Sequence, residues 1–186
     1  MSRIQSVFSL SLIALTAVTG LARAQSTAAA SAYAYGEVNF LAARIRAADA
    51  RFRDASEAAR EGYTPIPCAS GPDGGSMGVH YVNGDLLKSG KIDIAHPQAV
   101  MYEPEADGTM ALVAVEYISL KGPTTLEGHL FNFNPAPNRY GLDAYYDLHV
   151  WAWRANPTGT FSEMNPNVSC DAMPLNDAFA DPSHPQ

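Results

Sequence analysis

The run Asp147-Leu148-His149-Val150-Trp151-Ala152-Trp153 is the densest concentration of strand-forming residues in the chain. Side chains alternate between the two faces of a strand, which predicts Asp147, His149, Trp151 and Trp153 on one face and Leu148, Val150 and Ala152 on the other. Both faces are mostly apolar, so this strand is predicted to lie inside a domain, covered on both sides. A histidine at its centre then needs a hydrogen-bond partner or a chemical role.

Further short apolar runs, separated by Gly, Pro, Asn and Asp, predict more strands around this one. We predict strands at residues 77–82, 99–103, 110–120, 128–134 and 145–154. Asp107-Gly108 lies between two of them and indicates a hairpin turn. Only the gap at residues 83–98 is long enough for a crossover helix, and Gly84, Gly90 and Pro97 oppose a long one. The sheet is therefore predicted to be mainly antiparallel and to curl into a barrel or half barrel.

One long helix is predicted before the strands. Apolar residues recur there at steps of three and four, the pattern of an amphipathic helix. They are Val38, Leu41, Ile45, Ala48, Phe52, Ala55 and Ala59. Gly62, followed by Pro65 and Pro67, predicts the end of this helix. The predicted fold class is α+β, with one long N-terminal helix packed on a mainly antiparallel, barrel-like β-sheet.

The first residues have the features of a secretory signal peptide: Arg3, a following apolar run, and Ala22-Arg23-Ala24 as a cleavage site. We predict a signal peptide at 1–24, a single domain at 25–176 and a flexible tail at 177–186. A protein exported in this way is expected in the periplasm or outside the cell. After residue 24 no run approaches the roughly 20 apolar residues of a membrane span, so none is predicted in the mature chain.

The net charge of the chain bears on which partners it can bind, and its cysteine content bears on its disulfide bonds. The chain has 12 basic and 19 acidic residues and a formal net charge of −7, which opposes binding to nucleic acid or to an anionic membrane. Its only cysteines are Cys68 and Cys170. An oxidising compartment predicts a disulfide between them, with two free thiols or a thiolate metal site as the alternatives.

Three of the five histidines, His80, His129 and His149, lie in predicted strands beside aromatic and aliphatic residues. Glu116 lies in the apolar run 111–118, where an unpaired carboxylate would cost several kcal/mol. Neutral imidazoles and one carboxylate, held by a rigid sheet, are typical ligands of zinc, iron, copper and manganese. We therefore predict a site for a divalent transition metal at His80, Glu116 and His149, with His129 as a fourth member, either for binding alone or for a metal-dependent reaction.

Other interpretations stay open. His80 and His149 can instead be core histidines, hydrogen-bonded to Glu116, Tyr81 or backbone, with a purely structural role. Glu116 and a histidine can act as a metal-free acid and base. Met77 offers a soft ligand for copper or simply fills the core. Aromatic residues of the sheet can line a cavity, which would make the protein a non-catalytic carrier or sensor of a small apolar or aromatic ligand, haem included. A structural envelope protein is a further alternative.

Five segments, taken together, resemble a family of small exported bacterial proteins of unassigned function. They are residues 74–83, 101–104, 115–117, 148–153 and 165–170, which read GGSMGVHYVN, MYEP, VEY, LHVWAW and NPNVSC. The resemblance covers most of the chain from about Arg51. It implies that the segments of His80, Glu116 and His149 occur together, in a shared site or a shared core, and it implies no particular activity, substrate or cofactor.

Overall fold

The computed structural model of the protein describes residues 40–71 and 74–173. The predicted signal peptide at 1–24 and the predicted tail at 177–186 lie outside these described residues. In the described ranges, no helix combines the length and the apolar character that crossing a bilayer requires.

Eight strands follow one another along the described chain. They are β1 (Thr64–Ser70), β2 (Ser76–Val82), β3 (Ala99–Pro104), β4 (Met110–Ser119), β5 (Thr125–Leu126), β6 (His129–Leu130), β7 (Asn132–Asn134) and β8 (Tyr145–Val150). Six of them form one antiparallel sheet in the order β1-β2-β3-β4-β8-β7, which curls into a half barrel, and β5 pairs with β6 separately. The predicted barrel-like antiparallel sheet and the turn at Asp107-Gly108 are confirmed.

The prediction of one long helix is wrong. Residues 40–48 form a helix (α1), Ala50–Arg53 a 3-10 turn and Ala55–Arg60 a second helix (α2). Asp54 interrupts the series because its backbone is extended, and its side chain accepts the Ser56 N–H at 2.9 Å to cap α2. An aspartate whose side chain hydrogen-bonds to nearby backbone is favoured at a helix cap over a helix interior. The apolar residues therefore continue at helical spacing, although the helix itself is interrupted.

Three elements were not predicted: strand β1, the two-residue strand β5 and a short helix between β2 and β3. Strand β1 contains Pro65 and Pro67, which indicated a break, but it is an edge strand, where a missing N–H donor is tolerated. A short helix, α3 (Gly84–Ser89), occupies the gap between β2 and β3. The Asn83 side chain caps its first turn, and Gly90 ends it in the left-handed conformation at φ 61°.

The main core lies on one face of the sheet, where α1, the 3-10 turn and α2 pack against it. Its buried members include Leu41, Ile45, Phe52, Val100, Tyr102, Val115, Tyr117, Leu148 and Val150. Their immediate neighbours along β4 and β8 are Glu116 and His149, which the alternation of a strand places on the opposite face. Two smaller apolar clusters, one around Met101 and Trp151 and one around Ile118, occupy that opposite face.

The two tryptophans do not share a face, contrary to the prediction from alternation. Strand β8 ends at Val150, and the N–H groups of Trp153 and Arg154 then both donate to the Val113 carbonyl, at 3.1 and 3.3 Å. Two successive donors on one acceptor shift the register by one residue, which reverses the faces. Trp151 therefore packs with the cluster around Met101, while Trp153 packs against the main core.

The predicted disulfide is confirmed. Cys68 in β1 is bonded to Cys170, across a sequence separation of 102 residues. Close to it, Ser76 and Asn165 exchange two backbone hydrogen bonds of 3.2 and 3.1 Å. The segment that follows β8 is thus held to β1 by the disulfide and to β2 by these hydrogen bonds.

Candidate metal centre

Three predicted ligands meet on the face of the sheet opposite the main core. His80 comes from β2, Glu116 from β4 and His149 from β8, and one ligand atom from each lies within 4.8 Å of the others. Glu116 and His149 are cross-strand partners. Strand β3 separates β2 from β4, but the residue that it places opposite Glu116 is Ala99, whose methyl group leaves room for the His80 ring. His80 Nε2 consequently lies 3.5 Å from Glu116 Oε2.

These side chains are buried and have unused nitrogen atoms. His80, Glu116 and His149 are 0%, 1% and 2% exposed. His80 Nδ1 lies 3.3 Å from the Gly78 carbonyl, and donation of its hydrogen there leaves the Nε2 lone pair vacant. Neither His80 Nε2 nor either nitrogen of His149 has a hydrogen-bond partner among the described residues. Because buried polar atoms are normally paired, the vacant nitrogens call for a specific explanation.

The spacing suits a metal ion. Ligand atoms about 2.1 Å from a tetrahedral zinc ion are about 3.4 Å from one another. The distance between His80 Nε2 and Glu116 Oε2 is 3.5 Å, and that between His149 Nε2 and Glu116 Oε1 is 3.9 Å. One ligand atom from each residue lies within 4.8 Å of the others, so modest rotation of the side chains would bring all three to one ion. The residues present therefore fit a metal.

The electrostatic environment favours neutral groups in the absence of a cation. Burial lowers the pKa of His80 well below its usual range and that of His149 to about 3, and the positive charge of Arg139 lowers both further. Both rings are thus neutral at pH 7, the form that binds metals. Burial raises the pKa of Glu116 well above its usual range, and the negative charge of Asp147 adds to this. A bound cation would displace the Glu116 proton.

Two residues that the sequence did not single out belong to the same cluster. Asp147 Oδ2 lies 3.5 Å from His149 Nδ1. Burial raises the pKa of Asp147 to about 6, against an opposing effect of the neighbouring Glu116 carboxyl. The hydroxyl of Tyr140 donates a hydrogen bond to Glu116 Oε2. Asp147 shares a strand face with His149, a signal that was present in the sequence, whereas Tyr140 lies in an irregular loop and has no periodic signal.

A cavity of about 210 Å³ opens onto the centre. Its walls include Glu116, Asp147, His149, Tyr145, Glu163, Asn134 at the end of β7 and the loop residues 135–140 except Ala136. Arg139 fixes this loop to the sheet by donating to the Pro67 carbonyl at 2.6 Å and to Met77 Sδ at 3.4 Å. The centre is therefore reached from the side of Glu116 and His149, with His80 behind them.

The remaining histidines lie elsewhere. His129, predicted as a fourth ligand, is half-buried in β6 with its ring centroid 4.4 Å from that of Phe161, and it is not part of the His80, Glu116 and His149 group. His96 is in an exposed loop, and His184 is outside the described residues. Among the described side chains, the group that could hold a metal is His80, Glu116 and His149.

Comparison of the chain with protein-family models, with curated proteins and with solved structures gives no match. The resemblance to small exported bacterial proteins stays a prediction from the five segments. Function is accordingly inferred from the geometry of the centre.

Proposed function

We propose that the protein is an exported metal-binding protein in which His80, Glu116 and His149 hold one transition-metal ion. The observation that carries the proposal is the convergence of three buried ligand atoms within 4.8 Å, together with histidine nitrogens that have no hydrogen-bond partner among the described residues. Two histidines with one carboxylate are a ligand set used for zinc and for non-haem iron, and copper and manganese also accept such donors. The disulfide supports export, because such bonds persist in oxidising compartments.

Three protein ligands leave at least one coordination position for water or a substrate, as in catalytic metal sites. The cavity of about 210 Å³ lies on the accessible side of the centre, so a small molecule has room to reach that position. The Asp147 carboxyl lies in the same cavity and can accept a proton there. These features support a metal-dependent reaction on a small molecule as the specific function.

The test is elemental analysis of protein purified from the periplasm without a histidine tag or chelator, followed by titration with zinc, copper, manganese and iron in both oxidation states. We expect about one equivalent of metal in the native protein. His149→Ala and Glu116→Gln should each lose it, and His129→Ala is the matched control that should keep it. A native protein that stays empty with every ion, or a His149→Ala variant with unchanged affinity, would contradict the proposal.

A carrier of a small apolar ligand is the second candidate function, because the structure also has an apolar cavity of about 480 Å³. That volume falls within the roughly 300–1,000 Å³ of small-molecule pockets. Its lining includes Pro65, Ile66, Val79, Tyr81 and Met110, and no histidine among the described residues. If this function is correct, Tyr81→Ala should weaken binding of an apolar fluorescent probe without changing the metal content.

A further inference from the structure

The Tyr140 hydroxyl is bonded to one proposed ligand, Glu116, and its ring packs against another, His80. It donates to Glu116 Oε2, the same oxygen that lies 3.5 Å from His80 Nε2. The ring of Tyr140 stands edge-on to that of His80, with 6.1 Å between the centroids. The phenol oxygen is therefore a neighbour of the polar atoms that would surround an ion at this point.

The loop around Tyr140 is built to hold this residue in place. The Asn138 side-chain oxygen accepts the N–H groups of Tyr140 and Leu142, each at 3.2 Å, and the Asn138 amide donates to the Leu142 carbonyl at 2.8 Å. The residue directly before Tyr140, Arg139, donates to the Pro67 carbonyl. Tyr140 is thus held by bonded neighbours, which keep its hydroxyl in place against Glu116.

On the basis of the proposed function, we infer that Tyr140 is a fourth protein ligand of the metal, bound as a phenolate, and that the ion is ferric iron. Tyrosine is an established iron ligand, and anionic oxygens suit hard, highly charged ions. Glu116, Tyr140 and Asp147 together can supply three negative charges at or next to the ion. Coordination releases the phenol proton to water, because a bound cation favours the anionic phenolate over the neutral phenol.

The experiment uses the full chain, freed of metal and then loaded with ferric nitrilotriacetate. A phenolate bound to ferric iron gives a charge-transfer band in the visible spectrum, which a site of histidine and carboxylate alone does not. We expect this band in the native protein and its loss in Tyr140→Phe, with iron affinity lowered more than about tenfold. Tyr145→Phe is the matched control: Tyr145 is buried, lines the same cavity and lies 5.6 Å from Tyr140, and its removal should keep the band.

The outcomes separate this inference from the proposed function. Iron bound by the native protein without the band, or a band retained in Tyr140→Phe, overturns the role of Tyr140 and leaves the His80, Glu116 and His149 site standing. A native protein that binds no metal overturns both. If Tyr140→Phe does not fold, resonance Raman spectra of the native protein and of Tyr145→Phe decide the question, since phenolate ring modes must be enhanced in both.

Discussion

Glu116 and His149 face each other directly across the β4–β8 ladder, with His149 Nε2 3.9 Å from Glu116 Oε1. Backbone hydrogen bonds on both strands set this separation, so the pair is in position before any ion arrives. Both side chains are buried, and burying them without a full set of hydrogen-bond partners costs free energy, which the rest of the fold offsets. Because a bound metal would pair with both side chains, we expect it to raise the free energy of unfolding.

Saturating metal is expected to stabilise the folded protein. An ion that binds only the folded state adds about 2.7 kcal/mol at a free concentration one hundred times its Kd. Thermal unfolding with and without the metal measures this as a rise in Tm for the native protein and for His129→Ala. His149→Ala should show no rise, and an equal rise in that variant would place the ion elsewhere.

Glu116→Gln is expected to leave the metal-free protein almost as stable as the native one, within about 1 kcal/mol. Because burial raises the pKa of Glu116, its carboxyl is protonated without a cation, and glutamine has nearly the same shape and can still accept the Tyr140 hydrogen bond. Urea unfolding in the presence of a chelator measures this difference. A loss of several kcal/mol would show that Glu116 is ionised in the empty site.

Asp49 should make the protein less stable as the pH rises from about 4 to about 7. Burial raises its folded-state pKa from 3.8 to about 7, and the nearby charge of Arg51 only partly opposes this. Between these values the folded state holds a proton that the unfolded chain has lost, so the free energy of unfolding falls as pH rises through this window. The total change is on the order of a few kcal/mol.

Urea unfolding of the native protein and of Asp49→Asn at a series of pH values tests this effect, and the variant should lose much of the slope. Asp54→Asn is the control, because a hydrogen bond from Ser56 lowers the pKa of that exposed carboxyl and places its effect below pH 4. Parallel pH profiles for native protein and Asp49→Asn would contradict the assignment.

Gly78→Ala should destabilise the protein far more than Gly108→Ala. Both glycines have positive φ, 87° and 83°, and an alanine at either costs roughly 1 kcal/mol for that conformation. At Gly78 a Cβ atom would also lie 2.4 Å from the Tyr102 carbonyl oxygen, whereas at Gly108 it would meet nothing within 4 Å. Chemical denaturation of the two variants should show several kcal/mol lost at Gly78, and equal losses would mean that β2 and β3 can move apart.

Much of the sheet was predictable because alternation and turn residues are local signals. Strands β2, β3, β4 and β8 lie close to the predicted ranges, with ends that differ by a few residues. The errors come from two features that the periodicity of the sequence does not encode. Prolines are tolerated in β1 because it is an edge strand, and Asp54 caps a new helix instead of continuing the old one.

The types of residue that form the centre were predictable, but the full set of residues was not. His80, Glu116 and His149 were identified because each is a polar side chain in an apolar strand, and their convergence depends on a strand order that periodicity does not encode. His129 has the same local pattern, yet β6 pairs with β5 outside the main sheet. Tyr140 could not be identified because its loop reaches the centre through contacts with Pro67 and Met77, far away in the sequence.

The distribution of the three proposed ligands over β2, β4 and β8 determines when in folding the protein could bind the proposed ion. No two of them are close in sequence, so these three residues form no local chelate in an unfolded chain. The complete set exists only after the long-range pairing of the sheet is finished, which is a slow kind of contact to form. Loading should therefore follow folding, and the ion is selected from the compartment in which the chain folds.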